Sequence, residues 1–340
     1  MSERPKEIDF SKAAARISGA RRVLITTHAR ADGDAIGSAL GLFRAVRSIG
    51  RDASVYLHEH VPPRYDFLPD VGAVQLWHAE SEPAAHLAVD GMDLIVIVDT
   101  CAIAQLDKAA SVINASSAAK LAIDHHVTRD SIVDEIVLDS TAGSCAQMIA
   151  QLCDAAGWPI DAETATLLFT GMATDTGWFR FSNADARVFE IASRLIKAGV
   201  KPNELYERLY LNEPEPRVRL IGAVASSFEL RSDGRLAVIR ITQEMLRRCG
   251  ANSSMTEEVI NESHRVGSVI ASVMLVEPAT ADEPVRVSFR SKRDVNVAAV
   301  ACHFGGGGHE RAAGAKLREP FEEAVGRVTA EMEAAVARAS

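Results

Sequence analysis

Aromatic residues are scarce in this 340-residue chain, with 3 Trp, 4 Tyr and 11 Phe making up 5% of it. So few rings argue against an extended track on which the bases of a long single strand would stack. Cysteine is scarce too. Cys101, Cys145, Cys153, Cys249 and Cys302 are odd in number, scattered and without a C-x-x-C pair, which argues against a disulfide framework or zinc ribbon and for buried free thiols. The most apolar uninterrupted run is Leu94 to Val98, far short of the roughly 20 residues of a membrane-spanning helix. Residues 1–30 lack the apolar core of a signal peptide, so a cytoplasmic address and no membrane partner are expected. Basic residues number 37 against 46 acidic ones, a net charge of −9 that argues against electrostatic binding of duplex DNA. What is present, 47% hydrophobic and 24% charged residues, suits a soluble globular protein with room for two ordinary domains.

Strand and helix signals alternate through the first half. Arg22 to Thr27 is a β-branched run, and Ile36, Ala39, Leu40, Phe43 and Val46 then recur at helical spacing over Asp34 to Ile49. Ala53 to Leu57 reads as the next strand. Leu94 to Val98 and Lys120 to Ile123 contain almost no polar residues, as expected of strands buried on both faces of a parallel sheet. Helices are expected at 142–156, capped by Ser140 or Thr141, and at 161–174, 186–198 and 202–211. Asn212-Glu-Pro-Glu-Pro216 reads as a break. Strands at 236–241, 268–276, 285–290 and 312–317, with helices near 255–263, 295–303 and 320–337, predict a second α/β domain with a mixed sheet. The expected domains are 1–187, a helical linker 188–216, and 217–340.

The acidic and imidazole residues of the first half fall just past strand ends: His28, Asp32 and Asp34 after the first strand, Asp99 after LIVIV, and Asp124, His125 and His126 after LAI. In an open parallel sheet the crevice beyond the carboxyl ends of the strands is the usual ligand site, so separate strands would deliver these groups to one place. A lone Asp-x-Asp is more often a helix cap, and Asp-His-His alone is more often a surface turn; their shared placement at strand ends favours a site. Carboxylates and imidazoles without matching thiolates suit hard or borderline divalent ions, Mn²⁺ first, with Mg²⁺, Co²⁺ or Fe²⁺ as alternatives. Two such ions would neutralise the clustered negative charge and support in-line attack on phosphorus.

These motifs, with Thr170-Gly-Met-Ala-Thr-Asp-Thr-Gly177 and Phe304-Gly-Gly-Gly-Gly-His-Glu-Arg-Ala-Ala-Gly314, resemble the DHH phosphoesterase superfamily. The resemblance is strongest to its bacterial nano-RNase/pAp phosphatase branch, which carries a DHH-associated C-terminal domain. It implies one metal held by His28, Asp32 and Asp99 and a second held by Asp34, Asp99, His125 and Asp175, with Asp99 shared. Asp124 would orient its neighbours, and His126 would face the scissile phosphate. Arg290, Ser291, Gly305, Gly306, Gly307, Gly308 and His309 would hold the substrate's terminal phosphate across an interdomain cleft. Ala31 stands where the family usually has proline, and Cys101-Ala-Ile-Ala104 is less polar than usual; neither departure removes a ligand.

The residues themselves support the second site. Seven basic side chains lie within 286–318 (Arg286, Arg290, Lys292, Arg293, Arg311, Lys316 and Arg318) against Asp294 and Glu310. The glycine run beside them offers backbone amides for an anion nest. His264 and Arg265 read equally well as a surface helix. The activity that the family resemblance implies is metal-dependent hydrolysis of short RNA to mononucleotides and of 3′-phosphoadenosine 5′-phosphate (pAp) to AMP. Short DNA and linear dinucleotides are further substrates that the resemblance allows, and a homodimer is a family-level expectation. The rivals are an inorganic pyrophosphatase or exopolyphosphatase, and an inactive nucleotide-binding signalling module.

Overall fold

The computed structural model describes residues 9–77, 89–107, 109–126, 132–280, 282–292 and 294–339. The chain divides between Leu211 and Asn212 into two units. Among the described residues no helix is long and apolar enough to cross a membrane.

The first unit is built on six strands: β1 (Arg22–Thr26), β2 (Asp52–Leu57), β3 (Val74–Leu76), β4 (Leu94–Val98), β5 (Ala119–Asp124) and β6 (Glu135–Leu138). All pairs are parallel and the order is β3-β2-β1-β4-β5-β6. Strand order reverses between β1 and β4, which creates a switch-point crevice at their carboxyl ends. Alternate residues explain why these strands read as unbroken apolar runs. Leu94, Val96 and Val98 enter one core while Ile95 and Ile97 enter the other, so neither face of the sheet is left for water.

On the larger core, helices Gly33–Ser48 and Ala162–Asp175 pack against each other. Glycines permit the close approach: a Cβ at Gly37 would lie 2.5 Å from the Leu167 carbonyl oxygen, and one at Gly171 would lie 2.7 Å from Asp34 Oδ1. Helices Ala186–Lys197 and Pro202–Tyr210, expected as part of a linker, send Val188, Ile191, Leu195, Leu205 and Leu209 into this same core.

The second unit carries β7 (Glu229–Arg231), β8 (Leu236–Ile241), β9 (Ala271–Val276), β10 (Val285–Ser291), β11 (Gly307–His309) and β12 (Ala312–Leu317), ordered β11-β12-β10-β9-β8-β7. Only β8 and β9 are parallel, so the sheet is mixed, as the sequence predicts. In β10 Val285, Val287 and Phe289 face the core while the residues between them are more exposed.

Several local expectations are corrected. The proline pair lies at the division between the two units and also opens the next helix: Pro214 is the N-cap and Pro216 the second residue of helix Glu215–Ser227, positions where a missing N–H costs nothing. The segment expected as a helix near 255–263 forms two 3₁₀ turns, Ser253–Thr256 and Val259–Arg265. The helix expected from 142 begins at Cys145, and Ser144 is its cap, accepting from the Gln147 N–H. All five cysteines are free, and Cys101, Cys145 and Cys153 are buried, but Cys302 is exposed.

Candidate metal centre

The carboxyl ends of β1, β4 and β5 deliver the first groups. Past β1, Asp32 caps helix Gly33–Ser48, its Oδ1 accepting from the N–H groups of Asp34 (3.0 Å) and Ala35 (3.1 Å). The cap explanation for Asp-x-Asp is therefore correct for Asp32, but Asp34, in the first helical turn, is only 1% exposed. A carboxylate so buried needs partners. The start of helix Cys145–Ala156 supplies them: the Cys145 N–H donates to Asp34 Oδ2 (2.6 Å) and the Ala146 N–H to Oδ1 (2.9 Å). Ser38 Oγ adds a bond of 3.3 Å to Oδ1. This helix N-terminus favours negative charge, and it was not anticipated from the sequence. Its signal was present in Ser144-Cys-Ala-Gln147, where a cap residue is followed three positions later by glutamine.

Asp99 follows β4 in the left-handed region (φ 62°). Its N–H donates to the Ile123 carbonyl (3.0 Å), and its Oδ1 is buried with no hydrogen-bond partner. Strain in a buried acidic residue, with one oxygen left open, is the signature of a functional position. Around it stand His28 Nε2, 3.4 Å from Oδ2, and His125 Nε2, 3.4 Å from Oδ1. His125 Nε2 also lies 3.8 Å from Asp34 Oδ2 and 3.7 Å from Asp175 Oδ2. Both imidazoles are fixed from behind. His28 Nδ1 faces the Ala29 carbonyl at 2.9 Å and His125 Nδ1 the Ala142 carbonyl at 3.3 Å; a carbonyl only accepts, so Nδ1 carries the proton and Nε2 points into the cluster.

Asp175 arrives from the opposite side as the last residue of helix Ala162–Asp175. The next turn is unusual, with Gly177, Trp178 and Phe179 all left-handed. Packing of Trp178 edge-on against Tyr206 (5.0 Å) and Tyr210 (5.6 Å) holds it there. Asn183 Nδ2 ties the Asp175 carbonyl (3.2 Å) to that of Gly143 (2.9 Å).

His126 is held differently. Asp124, fully buried, accepts from the His126 backbone N–H (3.0 Å) and from its Nδ1 (2.8 Å) through the same Oδ1.

Without cations the electrostatics are unbalanced. Burial raises the Asp34 carboxyl well above the usual range, and Asp99 and Asp175 raise it further. Burial also lifts Asp175 to about 6, against the pull of His125. Burial disfavours charge on His125 and His28, yet Asp99 and its neighbours outweigh it and hold these imidazoles up at about 10 and about 9. Asp99 is pulled the other way: burial opposes its charge, but His125 and His28 keep it below the ordinary value. Protons on imidazole thus stand where divalent cations would. Three groups have ligating atoms within 4.8 Å of one another: His28, Asp32 and Asp99; Asp34, His125 and Asp175; and Asp99, His125 and His126. The donor set, all oxygen and imidazole nitrogen with fixed tautomers and an open buried Asp99 Oδ1, fits divalent metal.

The residues expected to bind substrate lie in the second unit. Arg290 is partly buried and Ser291 8% exposed at the end of β10. In the glycine run a Cβ at Gly306 would collide with the Gly314 carbonyl and one at Gly308 would lie 2.6 Å from that of Ala312, whereas Gly307 faces open space and Gly305 needs φ 69°. His309 belongs to β11, but its side chain lies outside the described residues, as does Arg293.

The family profile described as "DHH family, N-terminal domain" matches residues 22–172, and that described as "DHHA1 domain" matches 230–338. The bifunctional oligoribonuclease and PAP phosphatase NrnA of Thermus thermophilus is 34% identical over 299 residues, 87% of this chain and 84% of that protein. Its Bacillus subtilis namesake is 28% identical over 314 residues, 92% of this chain and 93% of that one. A solved exopolyphosphatase-related protein from Bacteroides fragilis shares the fold with a TM-score of 0.89 at 25% identity, covering 98% of this chain and 97% of that one.

Proposed function

We propose that this chain, which belongs to the DHH family of phosphoesterases, degrades short RNA to mononucleotides and converts pAp to AMP with two Mn²⁺ ions. The observation that carries this reading is the meeting of His28, Asp32, Asp34, Asp99, His125 and Asp175, drawn from separate elements, at the switch point of a parallel sheet. The names of the relatives in Thermus and Bacillus support the substrate class. The borderline donor set supports manganese, with Mg²⁺, Co²⁺ and Fe²⁺ as competitors.

His28, Asp32 and Asp99 would hold one ion, and Asp34, His125 and Asp175 the other, with Asp99 common to both. When bound, the ions neutralise the carboxylates, polarise the phosphoryl oxygens and lower the pKa of an attacking water. The rest falls to the protein. The Cys145 and Ala146 amides and Ser38 fix both oxygens of Asp34. Asp124 accepts from His126 Nδ1 and favours the protonated ring, so that the imidazolium would donate its Nε2–H to the phosphate or leaving oxygen as negative charge builds. In the second unit Arg290, Ser291, His309 and the amides of Gly305 to Gly308 would take a phosphate of the substrate.

The test is a Mn²⁺ assay on pAp beside single-stranded RNA and DNA ladders of increasing length, a DNA duplex and pyrophosphate. The reading expects turnover of pAp and of the shortest strands, falling with length, and none of the duplex. Faster hydrolysis of pyrophosphate than of pAp would replace it with the pyrophosphatase reading.

A further inference from the structure

His264 and Arg265 are neighbours with opposite surroundings. Arg265 is 80% exposed and pairs with Glu262 at 3.2 Å. His264 is partly buried, and its Nε2 has neither solvent contact nor a hydrogen-bond partner. The segment that carries it is strapped to the sheet. Ser263 Oγ bonds the Ile260 carbonyl (2.8 Å) and the Ser272 hydroxyl (2.7 Å). Ser272 stands opposite Arg290 in the β9–β10 register, and Lys292 Nζ donates to the Val266 carbonyl (2.8 Å). The segment is thereby fixed beside the end of β10, where His264 feels the charges of Lys292 and Arg290.

Two further groups there are unsatisfied. Ser291 Oγ is buried without a partner. Arg290 is partly buried and makes no ion pair among the described residues; its Nη1 reaches only the Phe289 carbonyl, at 2.9 Å. Burial lowers its pKa, with Glu258 the carboxylate that opposes this. Burial, helped by Lys292 and Arg290, also holds His264 down at about 4, so at neutral pH the imidazole offers a hydrogen bond rather than a charge. Three buried or partly buried groups with unused hydrogen-bonding capacity, one of them a cation, are costly unless a ligand completes them.

We infer that His264 is a specificity-determining residue that joins Arg290 and Ser291 in reading a terminal phosphomonoester. The inference rests on the proposed function for the identity of its ligand, a nucleotide. A phosphomonoester presents three free oxygens and close to two negative charges at neutral pH. Those oxygens match the guanidinium, the serine hydroxyl and the imidazole N–H. An internal phosphodiester has two free oxygens and one charge, and leaves a donor unfilled. The site therefore favours the end of a strand over its middle.

Calorimetry of the full-length Mg²⁺-loaded protein with AMP, its 5′-methyl ester and adenosine tests this without turnover. The wild type is expected to bind AMP at least about 10-fold more tightly than the ester, the worth of one hydrogen bond to a charged group. Replacement by alanine, His264→Ala, weakens AMP about 10-fold and the ester less than about 2-fold. His264→Gln, whose amide N–H can replace Nε2–H, recovers most of the loss. Inorganic phosphate binds more weakly than AMP; equal binding would deny that the ligand is a nucleotide. Equal wild-type affinity for AMP and ester, equal losses on both in His264→Ala, or no AMP binding would overturn the inference. A protein that binds AMP in the expected pattern yet hydrolyses neither pAp nor RNA would overturn the proposed function alone.

Discussion

In the N-terminal unit Asp34, Asp99 and Asp124 are exposed by 1%, 2% and 0%, and the imidazoles beside them are pulled toward holding protons. In the C-terminal unit the corresponding groups are Arg290, Lys292 and His264, and there the imidazole is pushed toward losing its proton. The same side chain, histidine, thus reports opposite fields in two units of one chain. Burial disfavours the charged form in both; the sign of the neighbours decides which way each ring titrates. A region that buries acid without enough base is completed by cations. One that half-buries more base than acid is completed by anions. A phosphohydrolase needs both.

The contrast can be broken most sharply at Asp99. Asp99→Ala removes the ligand proposed to serve both ions, and kcat/KM for pAp should fall by roughly 10³-fold or more; a loss below tenfold would remove Asp99 from the centre. Next come the adjacent histidines. His126→Ala should lower kcat by about 10²-fold with metal content unchanged, whereas His125→Ala should lose metal, as elemental analysis would show. Equal metal loss in both would mean that His126 is itself a ligand, as the third group of clustered donors allows. In the other unit, Arg290→Ala should raise KM by about 10-fold or more while leaving metal content and kcat nearly intact. A fall in bound metal would collapse the distinction between the units.

Smaller effects sharpen the picture. Gly306→Ala places a methyl against the Gly314 carbonyl and should cost about 1–3 kcal/mol in urea unfolding. Gly307→Ala, which meets open space, should leave stability unchanged and affect only ligand binding. A further effect is on pH. His264 is held at about 4 in the fold, below the ordinary value near 6.5. Between those values the unfolded chain binds a proton that the native one does not, so stability falls as pH drops through that window. His264→Gln should flatten that part of the profile.

The parallel sheet was legible because β4 faces apolar cores on both sides and carries no polar residue, and β5 is apolar and buried over Leu121 to Ile123. Five of the six proposed ligands were legible for a related reason: each follows a strand end, where the chain must leave the sheet. Asp175 was not, because it closes a helix, and its approach depends on contacts of Gly37 and Gly171 that no local pattern ranks above ordinary helix packing. Short edge strands such as Val74–Leu76 and Glu135–Leu138 were missed since three or four residues carry little periodicity. Pro214 and Pro216 do accompany the division between the units, but they also start a helix, since proline stops helices from within and is tolerated in their first turn. The amides on Asp34 and the orphaned nitrogen of His264 are tertiary facts with only faint local signals.

The buried acid of the N-terminal unit is proposed to be a two-cation site organised around Asp99. Equilibrium dialysis of the full-length protein against Mn²⁺, with bound metal counted per chain, tests it most directly. The account predicts two ions in the wild type and none held tightly in Asp99→Ala; a single ion in the wild type, or the same count in both proteins, would contradict it.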